Sequence, residues 1–253
     1  MTGSPGYMVA RRVLLLGRLN VARDYHPGIV IILAIPIGTI VFFRFILFNA
    51  LLLQHVSYNY LLLCTFLTLL FSISSELMML GLFFCDPGFT TDTNDEISHY
   101  CPVCCLYVRD FDHHCGIVGA CIGGKNMGFF LFFLITVGCL MWLLVFFSGM
   151  LLWFFVKETT PEGPIINTLM VILTKEWWMS SLIKPFLAFS CALSCYGASF
   201  TSGLGVLYWV YLFRGIYSLE RRRRSSLRGN VSAIFRHMCK FQLAGKVLES
   251  FTN

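Results

Sequence analysis

Four residues with the spacing of a closed zinc site lie between positions 101 and 121. Cys101 and Cys104 form a C-x2-C pair, nine residues separate Cys104 from His114, and six separate His114 from Cys121. Three thiolates and one imidazole make a tetrahedral shell for Zn²⁺, and a turn-forming C-x2-C pair commonly supplies two of the ligands. The spacing therefore predicts a zinc site formed by these four residues.

An acid, a base and a thiol are interleaved with the zinc positions as Asp112, His113 and Cys115. One interpretation makes Cys115 a spare metal ligand and His113 a surface histidine. Against it, the four zinc positions are filled without Cys115. A nucleophilic thiol needs a base, and that base needs an orienting acid. We therefore favour a reactive Cys115, activated by His113, which Asp112 orients.

The composition is that of an integral membrane protein. Of the 253 residues, 57% are hydrophobic and 13% are charged, and the mean hydropathy is +0.74. Such values exclude an ordinary soluble domain. The 11 cysteines are spread through apolar segments and the metal-like cluster, which favours reduced, cytosol-facing thiols over disulfides. No nucleic-acid partner is expected.

Apolar runs long enough to cross a bilayer predict an all-α fold with four transmembrane helices and a small zinc-stabilised module between helices 2 and 3. The expected spans are residues 28–48, 59–84, 127–156 and 185–213. The expected organisation is a basic arm (1–27), helices 1 and 2 with a short loop (28–84), the module (85–126), helices 3 and 4 with a loop at 157–184 (127–213), and a basic tail (214–253).

The basic residues predict the orientation of the chain in the membrane. Lys and Arg number four in residues 1–27, two in 85–126 and nine in 214–253, which is fifteen of the 19 in the chain. Cytosolic segments carry an excess of Lys and Arg, so both termini and the module are expected in the cytosol. The loop at 157–184 is then lumenal.

One acid, Glu76, lies inside the second predicted span. It is either an interior-facing carboxylic acid hydrogen-bonded near Ser72, or a group that lines a cavity for an acyl chain or a thiol. Acids within spans are candidates for function, and both interpretations stay open. A transporter, suggested only by Glu76 and the spans, is a weaker possibility.

The run Asp112-His113-His114-Cys115, followed by Cys121, Asn126 and Phe130, resembles the DHHC family of membrane protein S-acyltransferases (palmitoyltransferases). Asp86-Pro87-Gly88 and short stretches of the tail are also similar to the family pattern. The family has two zinc ions, and the resemblance implies that the site of Cys101, Cys104, His114 and Cys121 is intact.

The chain departs from the family pattern at the other zinc site. The upstream C-x2-C pair is missing, and Tyr100 and Tyr107 stand where the family has a histidine and a cysteine. All the lost ligands belong to one site, which indicates a variant with a single zinc. Gly116-Ile117 also replaces the usual Pro-Trp after the cysteine.

The resemblance implies a two-step reaction. Cys115 takes a long-chain acyl group from acyl-CoA, and a cysteine of a protein substrate with cytosolic thiols then accepts it. The candidate contacts for CoA are Arg109, Lys125 and Asn126. The arginine run at 221–224 either joins them or anchors the tail to anionic lipids.

Further partners implied are membrane lipids, and the expected location is the Golgi or the endoplasmic reticulum. The rival hypothesis is a non-catalytic membrane scaffold or adaptor derived from the same family.

Overall fold

The computed structural model describes residues 11–14, 19–22, 24–47, 49–90, 97–159 and 175–213. The basic tail at 214–253, with its arginine run, lies outside the described residues, as does most of the arm at 1–27. The fold is mostly helical, as predicted. The helices are α1 (His26–Phe42, continuing as a wider π-helical turn over Phe43–Leu47), α2 (Ala50–His55), α3 (Tyr58–Phe84), α4 (Met127–Thr159) and α5 (Lys175–Phe213).

Three helices of the described residues are long and apolar enough to cross a membrane. They are His26–Leu47, Tyr58–Phe84 and Met127–Phe154, with mean hydropathies of 2.6, 1.9 and 2.7. Their outer faces expose large apolar side chains, such as Ile40 (67% exposed), Phe66 (61%) and Trp153 (68%). Such continuous apolar exposure is unfavourable in water and is typical of lipid-facing surfaces.

The last helix begins at Lys175, whereas the fourth span predicted from sequence begins at residue 185. The sequence interpretation placed residues 175–184 in a lumenal loop with an interfacial piece anchored by Trp177 and Trp178. Hydropathy indicates where a helix leaves the hydrocarbon core of a membrane. The helical backbone can continue beyond this boundary because its hydrogen bonds are formed within the helix.

Short strands form the cysteine-rich module, so the all-α prediction is wrong for this part of the chain. One antiparallel sheet has the order β3 (Phe89–Thr90), β5 (Leu106–Arg109), β4 (Ser98–Cys101), and a hairpin pairs β6 (His113–Cys115) with β7 (Ala120–Ile122). A further hairpin joins β1 (Arg11–Leu14) and β2 (Leu19–Ala22). Metal-type cysteine pairs sit in turns between strands, and hydropathy carries no signal for strands this short.

The described residues divide into two compact units. One contains residues 74–135 together with the described parts of 1–35 and 203–253, and the other contains residues 36–73 and 136–202. In the second unit, a buried apolar cluster includes Phe42, Leu61, Phe147 and Leu187. Its polar side chains pair within the unit, as in the 2.6 Å hydrogen bond between the hydroxyls of Thr39 and Ser72.

The unit with residues 74–135 holds Glu76, whose Oε2 is buried and has no hydrogen-bond partner among the described residues. The hydroxyl of Ser72, the partner considered from sequence, bonds to Thr39. The prediction for Glu76 therefore stays open between its two interpretations.

Candidate active site and metal centre

Two hairpins bring the four predicted metal ligands together. The turn between β4 and β5 carries Cys101 and Cys104, and the backbone N–H of Cys104 points at Sγ of Cys101 at 3.4 Å. His114 and Cys121 face each other as a cross-strand pair of β6 and β7. Directly opposed residues of an antiparallel pair keep their side chains close, which explains how two residues seven positions apart become neighbours.

The distances within the cluster match a tetrahedral metal shell. Nδ1 of His114 lies 3.7 Å from Sγ of Cys101, 3.5 Å from Sγ of Cys104 and 3.6 Å from Sγ of Cys121. Zn–S and Zn–N bonds of about 2.3 and 2.0–2.1 Å at tetrahedral angles require S···N separations of about 3.6 Å. The donor set and the spacing therefore fit Zn²⁺. In the described part of the chain, this is the single cluster of this kind.

The three thiols of the cluster are fully buried. Hydrogen bonds from Cys104 and Cys121 hold the pKa of Cys101 far below its usual range, while the same crowding raises the pKa of Cys121. Such a group of thiols binds a dication by giving up the protons that they otherwise share. The fit to a metal thus rests on chemistry as well as on distance.

The segment before α1 packs against the loop that follows Cys115. Oδ2 of Asp24 lies 3.9 Å from Nε2 of His114, which is buried without a hydrogen-bond partner among the described residues. Gly119 has a φ of +69°, and a Cβ there would lie 2.1 Å from the carbonyl oxygen of Asp24. The chain before α1 therefore braces the outer side of the metal cluster.

This contact makes Gly119 intolerant of any side chain. We expect Gly119→Ala to lower the melting temperature and the metal content of the purified protein, because the left-handed backbone alone costs about 1–2 kcal/mol and the Cβ overlaps a backbone oxygen. The matched control is Gly116→Ala in the same loop, where a Cβ meets nothing within 4 Å. Equal melting temperatures and metal contents for the two variants would contradict the packing.

Strand alternation separates the predicted catalytic residues from the metal ligand beside them. Successive residues of a strand point to opposite faces. Along β6, His113 and Cys115 therefore share one face, while His114 points to the other, where the metal cluster lies. Nδ1 of His113 is 2.8 Å from Oδ2 of Asp112, whose side chain is 1% exposed. These residues form the Asp112-His113-Cys115 line, in which the acid contacts the base and the thiol shares the strand face of the base.

The electrostatics of this line favour a charged thiol. Burial alone raises the pKa of Cys115, but interactions with His113 and with the backbone N–H of Val118 outweigh burial and lower that pKa. Burial alone lowers the pKa of His113, while the bonds with Asp112 and Cys115 raise it to about 9. A thiolate beside a protonated imidazole is the arrangement of an activated cysteine nucleophile.

Tyr208 on α5 is a neighbour of this site that sequence reasoning missed. Its hydroxyl hydrogen-bonds to Oδ2 of Asp112, the oxygen that also pairs with His113. The ring of Phe130 stands edge-on to both Tyr208 and His113, with centroid distances of 5.2 and 5.4 Å. In the sequence, Tyr208 is one aromatic residue of an apolar helix, and nothing distinguishes it from a lipid-facing tyrosine.

The Asp86-Pro87-Gly88 turn holds the start of α4 in place. Oδ1 of Asp86 accepts hydrogen bonds from the backbone N–H groups of Gly88 and Phe89, at 3.1 and 3.0 Å. Its Oδ2 binds Nζ of Lys125 at 3.0 Å. The charge of Lys125, predicted to contact CoA, is therefore already paired with a buried carboxylate.

Asn126 is also predicted to contact CoA, and this contact stays a prediction; in the structure its amide is engaged within the protein. The residue is fully buried, its Oδ1 accepts from the N–H of Gly123 at 2.8 Å, and its Nδ2 donates to the carbonyl of Cys121 at 2.9 Å. Both ends of the amide are used in the turn that joins β7 to α4. Arg109, the third predicted contact, is exposed on β5.

The two tyrosines at the positions of the lost zinc ligands form a pair. Tyr100 on β4 lies directly opposite Tyr107 on β5, and their ring centroids are 5.3 Å apart. Cross-strand aromatic pairs stabilise antiparallel strands by about 0.2–1 kcal/mol. The ring pair therefore stabilises the pairing of β4 with β5.

Comparison with known proteins finds similarity over the part of the chain that contains this site. The family model described as DHHC palmitoyltransferase matches residues 91–225, slightly more than half of the chain. Palmitoyltransferase PFA3 of Candida albicans is 31% identical over 99 residues, which are 39% of this chain and 26% of that protein. Palmitoyltransferase PFA3 of Candida glabrata is 32% identical over 98 residues, or 38% of this chain and 30% of that protein.

A mammalian relative shows higher identity over a shorter stretch. Palmitoyltransferase ZDHHC4 of Rattus norvegicus is 50% identical over 40 residues, which are 16% of this chain and 12% of that protein. The alignments span less than a third of the length of each of these relatives. The match to the family model over residues 91–225 includes the metal cluster and the Asp112-His113-Cys115 line, and by this match the chain belongs to the DHHC palmitoyltransferase family.

Proposed function

We propose that this chain is a protein S-acyltransferase that moves a long-chain fatty acyl group from acyl-CoA through an acyl-Cys115 intermediate to cysteines of protein substrates. The observation that carries the proposal is the line from Asp112 through His113 to Cys115, held beside a metal-type cluster. Family membership and the names of the relatives support the same activity.

In the first step, the Cys115 thiolate attacks the carbonyl carbon of the acyl-CoA thioester. The new Cys115 Sγ–C bond forms, the bond between that carbon and the CoA sulfur breaks, and the leaving CoA thiolate takes the proton held by His113. Nδ1 of His113 is engaged by Asp112, so Nε2 is the nitrogen that handles this proton. Asp112 stabilises the charged imidazole and keeps its orientation.

In the second step, a cysteine thiol of the substrate protein gives its proton to His113 and attacks the acyl-Cys115 carbonyl. The acyl group moves to the substrate, and Cys115 returns to its thiolate form. Each half-reaction exchanges one thioester for another, so no external energy source is needed. The exposed loop after Cys115, with Ile117 55% exposed, leaves room for a protein partner.

Zinc would be held by Cys101, Cys104, His114 and Cys121, with one ion per chain. When bound, it supplies a rigid cross-link between the two hairpins of the module. Because His114 stands between His113 and Cys115, a fixed His114 also fixes the backbone of both. The Tyr100–Tyr107 pair supports a module that uses a single ion.

We further propose four spans, with α5 as the fourth, both termini and the module in the cytosol, and residence in the Golgi or endoplasmic reticulum. The fifteen of 19 Lys and Arg on the proposed cytosolic side support this orientation. A membrane location lets the acyl chain lie in an apolar environment, where burial contributes about 0.8 kcal/mol per CH2. Exposed Arg109 remains a candidate contact for the CoA phosphates.

The orientation is tested with glycosylation tags. We expect a sequon tag inserted at residue 95 to stay unmodified in cells, because it would face the cytosol. The same tag inserted at residue 165, between α4 and α5, serves as the control and should be glycosylated. Efficient modification at residue 95, with none at residue 165, would reverse the proposed orientation.

The activity is tested with purified protein and an alkyne-labelled palmitoyl-CoA. We expect label on the chain that neutral hydroxylamine releases, since a thioester is cleaved by this treatment and an amide is not. Adding a membrane protein with cytosolic cysteines should then move label from the chain to that acceptor. Label that is stable to hydroxylamine, or that never leaves the chain, would argue against acyl transfer.

A further inference from the structure

We infer that the hydroxyl of Tyr208 is a positioning group for acyl transfer, which holds the Asp112 carboxylate, and through it the His113 ring, in the orientation that acylation of Cys115 requires. The inference rests on the proposed function and deepens it, since it assigns a role to a residue 96 positions away from Asp112 in the sequence.

The hydrogen bonds of Oδ2 of Asp112 carry the inference. This single oxygen receives the Tyr208 hydroxyl and also pairs with Nδ1 of His113 at 2.8 Å, while the Tyr208 oxygen lies 3.4 Å from the same Nδ1. With only 1% of its side chain exposed, Asp112 depends on donors from the protein rather than on bulk water. A donor from α5 therefore helps to fix where the carboxylate points.

Ring packing restricts the position of the Tyr208 hydroxyl. Tyr208 is 9% exposed, and its ring stands at 81° to that of Phe130, which itself stands at 68° to the ring of His113. The three rings form an aromatic clamp, defined as His113, Phe130 and Tyr208. Residues whose rotamers are locked by packing keep a catalytic group within the narrow range of productive geometries.

A simpler alternative is that Tyr208 only satisfies its own hydroxyl on a buried surface. The two roles differ in their consequence for catalysis. A structural hydroxyl affects folding and metal retention, whereas a positioning hydroxyl affects the rate of the chemical step and leaves acyl-CoA binding unchanged.

The test is Tyr208→Phe, which keeps the ring of the clamp and removes only the hydroxyl. We expect the maximal rate of Cys115 acylation to fall about tenfold, or about 1.4 kcal/mol, because hydrogen bonds to charged groups contribute on this scale. The acyl-CoA concentration at half-maximal rate and the zinc content should stay unchanged. The matched control is Tyr196→Phe on the same helix, at a residue 72% exposed, which should retain the wild-type rate.

Two further variants separate positioning from general damage. In an Asp112→Asn background, Tyr208→Phe should cause little additional loss, because residues that act through one another are not additive. Tyr208→4-aminophenylalanine places an N–H donor where the hydroxyl was, and it should restore most of the rate lost in Tyr208→Phe.

Several results would contradict the role proposed for Tyr208. A wild-type rate in Tyr208→Phe, a fully additive double variant, or a loss of zinc from Tyr208→Phe would overturn the positioning role. Absence of any acylation of the wild-type protein would overturn the proposed function and, with it, this inference. Acylated wild type with an unchanged Tyr208→Phe overturns the inference alone.

Discussion

Replacing Cys115 with serine is expected to abolish hydroxylamine-sensitive autoacylation. Serine lacks a thiolate, and the neighbouring histidine cannot generate an alkoxide of comparable reactivity at neutral pH. We expect His113→Ala to lower the initial rate by about 10²–10⁴, the usual effect of removing a general base. Both effects are measured as initial rates of label incorporation from alkyne-palmitoyl-CoA into purified protein.

Cys105→Ser is the matched control for this experiment. Cys105 lies in the same module and is also partly exposed, but its thiol faces the carbonyl of Pro102 at 3.5 Å and is not part of the catalytic line. This variant should retain the wild-type rate. If Cys115→Ser keeps its label and Cys105→Ser loses it, the chain is a passive acceptor, and the scaffold hypothesis replaces the enzyme. Cys239 in the tail is a second candidate passive acceptor.

Loss of the metal is expected to abolish autoacylation as well. Purified protein is expected to contain one zinc per chain, and Cys101→Ser should lose both the zinc and the autoacylation. The two losses are coupled because His114 lies on the same short strand as His113 and Cys115, so that release of the metal loosens the backbone of the catalytic residues. Elemental analysis, made in parallel with the labelling assay, measures both quantities on the same sample.

The stoichiometry distinguishes several outcomes. A zinc content near two ions per chain would mean that Cys85, Cys105, His99 or the tail contributes ligands to a second site. Burial and the charge of Asp86 raise the pKa of Cys85 to about 11, and this thiol is not a member of the cluster formed by Cys101, Cys104, His114 and Cys121. Cys105 is not one of these four residues either, so Cys105→Ser should retain one zinc ion per chain. Active protein with no metal would remove the structural role assigned to zinc.

Local spacing was sufficient to predict the candidate site. Cys101, Cys104, His114 and Cys121 can be recognised because the geometry of a zinc shell restricts the chain to short turns and paired strands. The adjacency of Asp112 and His113 likewise appears in the sequence, and the structure shows that their side chains lie 2.8 Å apart. Membrane insertion follows from hydropathy, since a span depends on the sum of many side chains.

Other features depend on contacts between distant segments. The β-structure of the module comes from cross-strand pairs such as His114 with Cys121, which leave no period-2 pattern in strands of three or four residues. Asn126 was recognised in the sequence as part of the family motif and as a candidate contact for CoA. Only the structure shows that its amide ties the turn after Cys121 to the start of α4.

The sequence alone indicated which residues could bind a metal and which could form an activated cysteine, because these choices depend on residue type and on separations of a few positions. Only the tertiary structure decided what surrounds them. It shows the hydrogen bond from Tyr208 to Asp112, the position of Asp24 beside His114, and the ion pair of Asp86 with Lys125. These partners come from helix ends and loops that are far apart along the chain. Their meeting is a consequence of how the helices pack, and no local pattern encodes it.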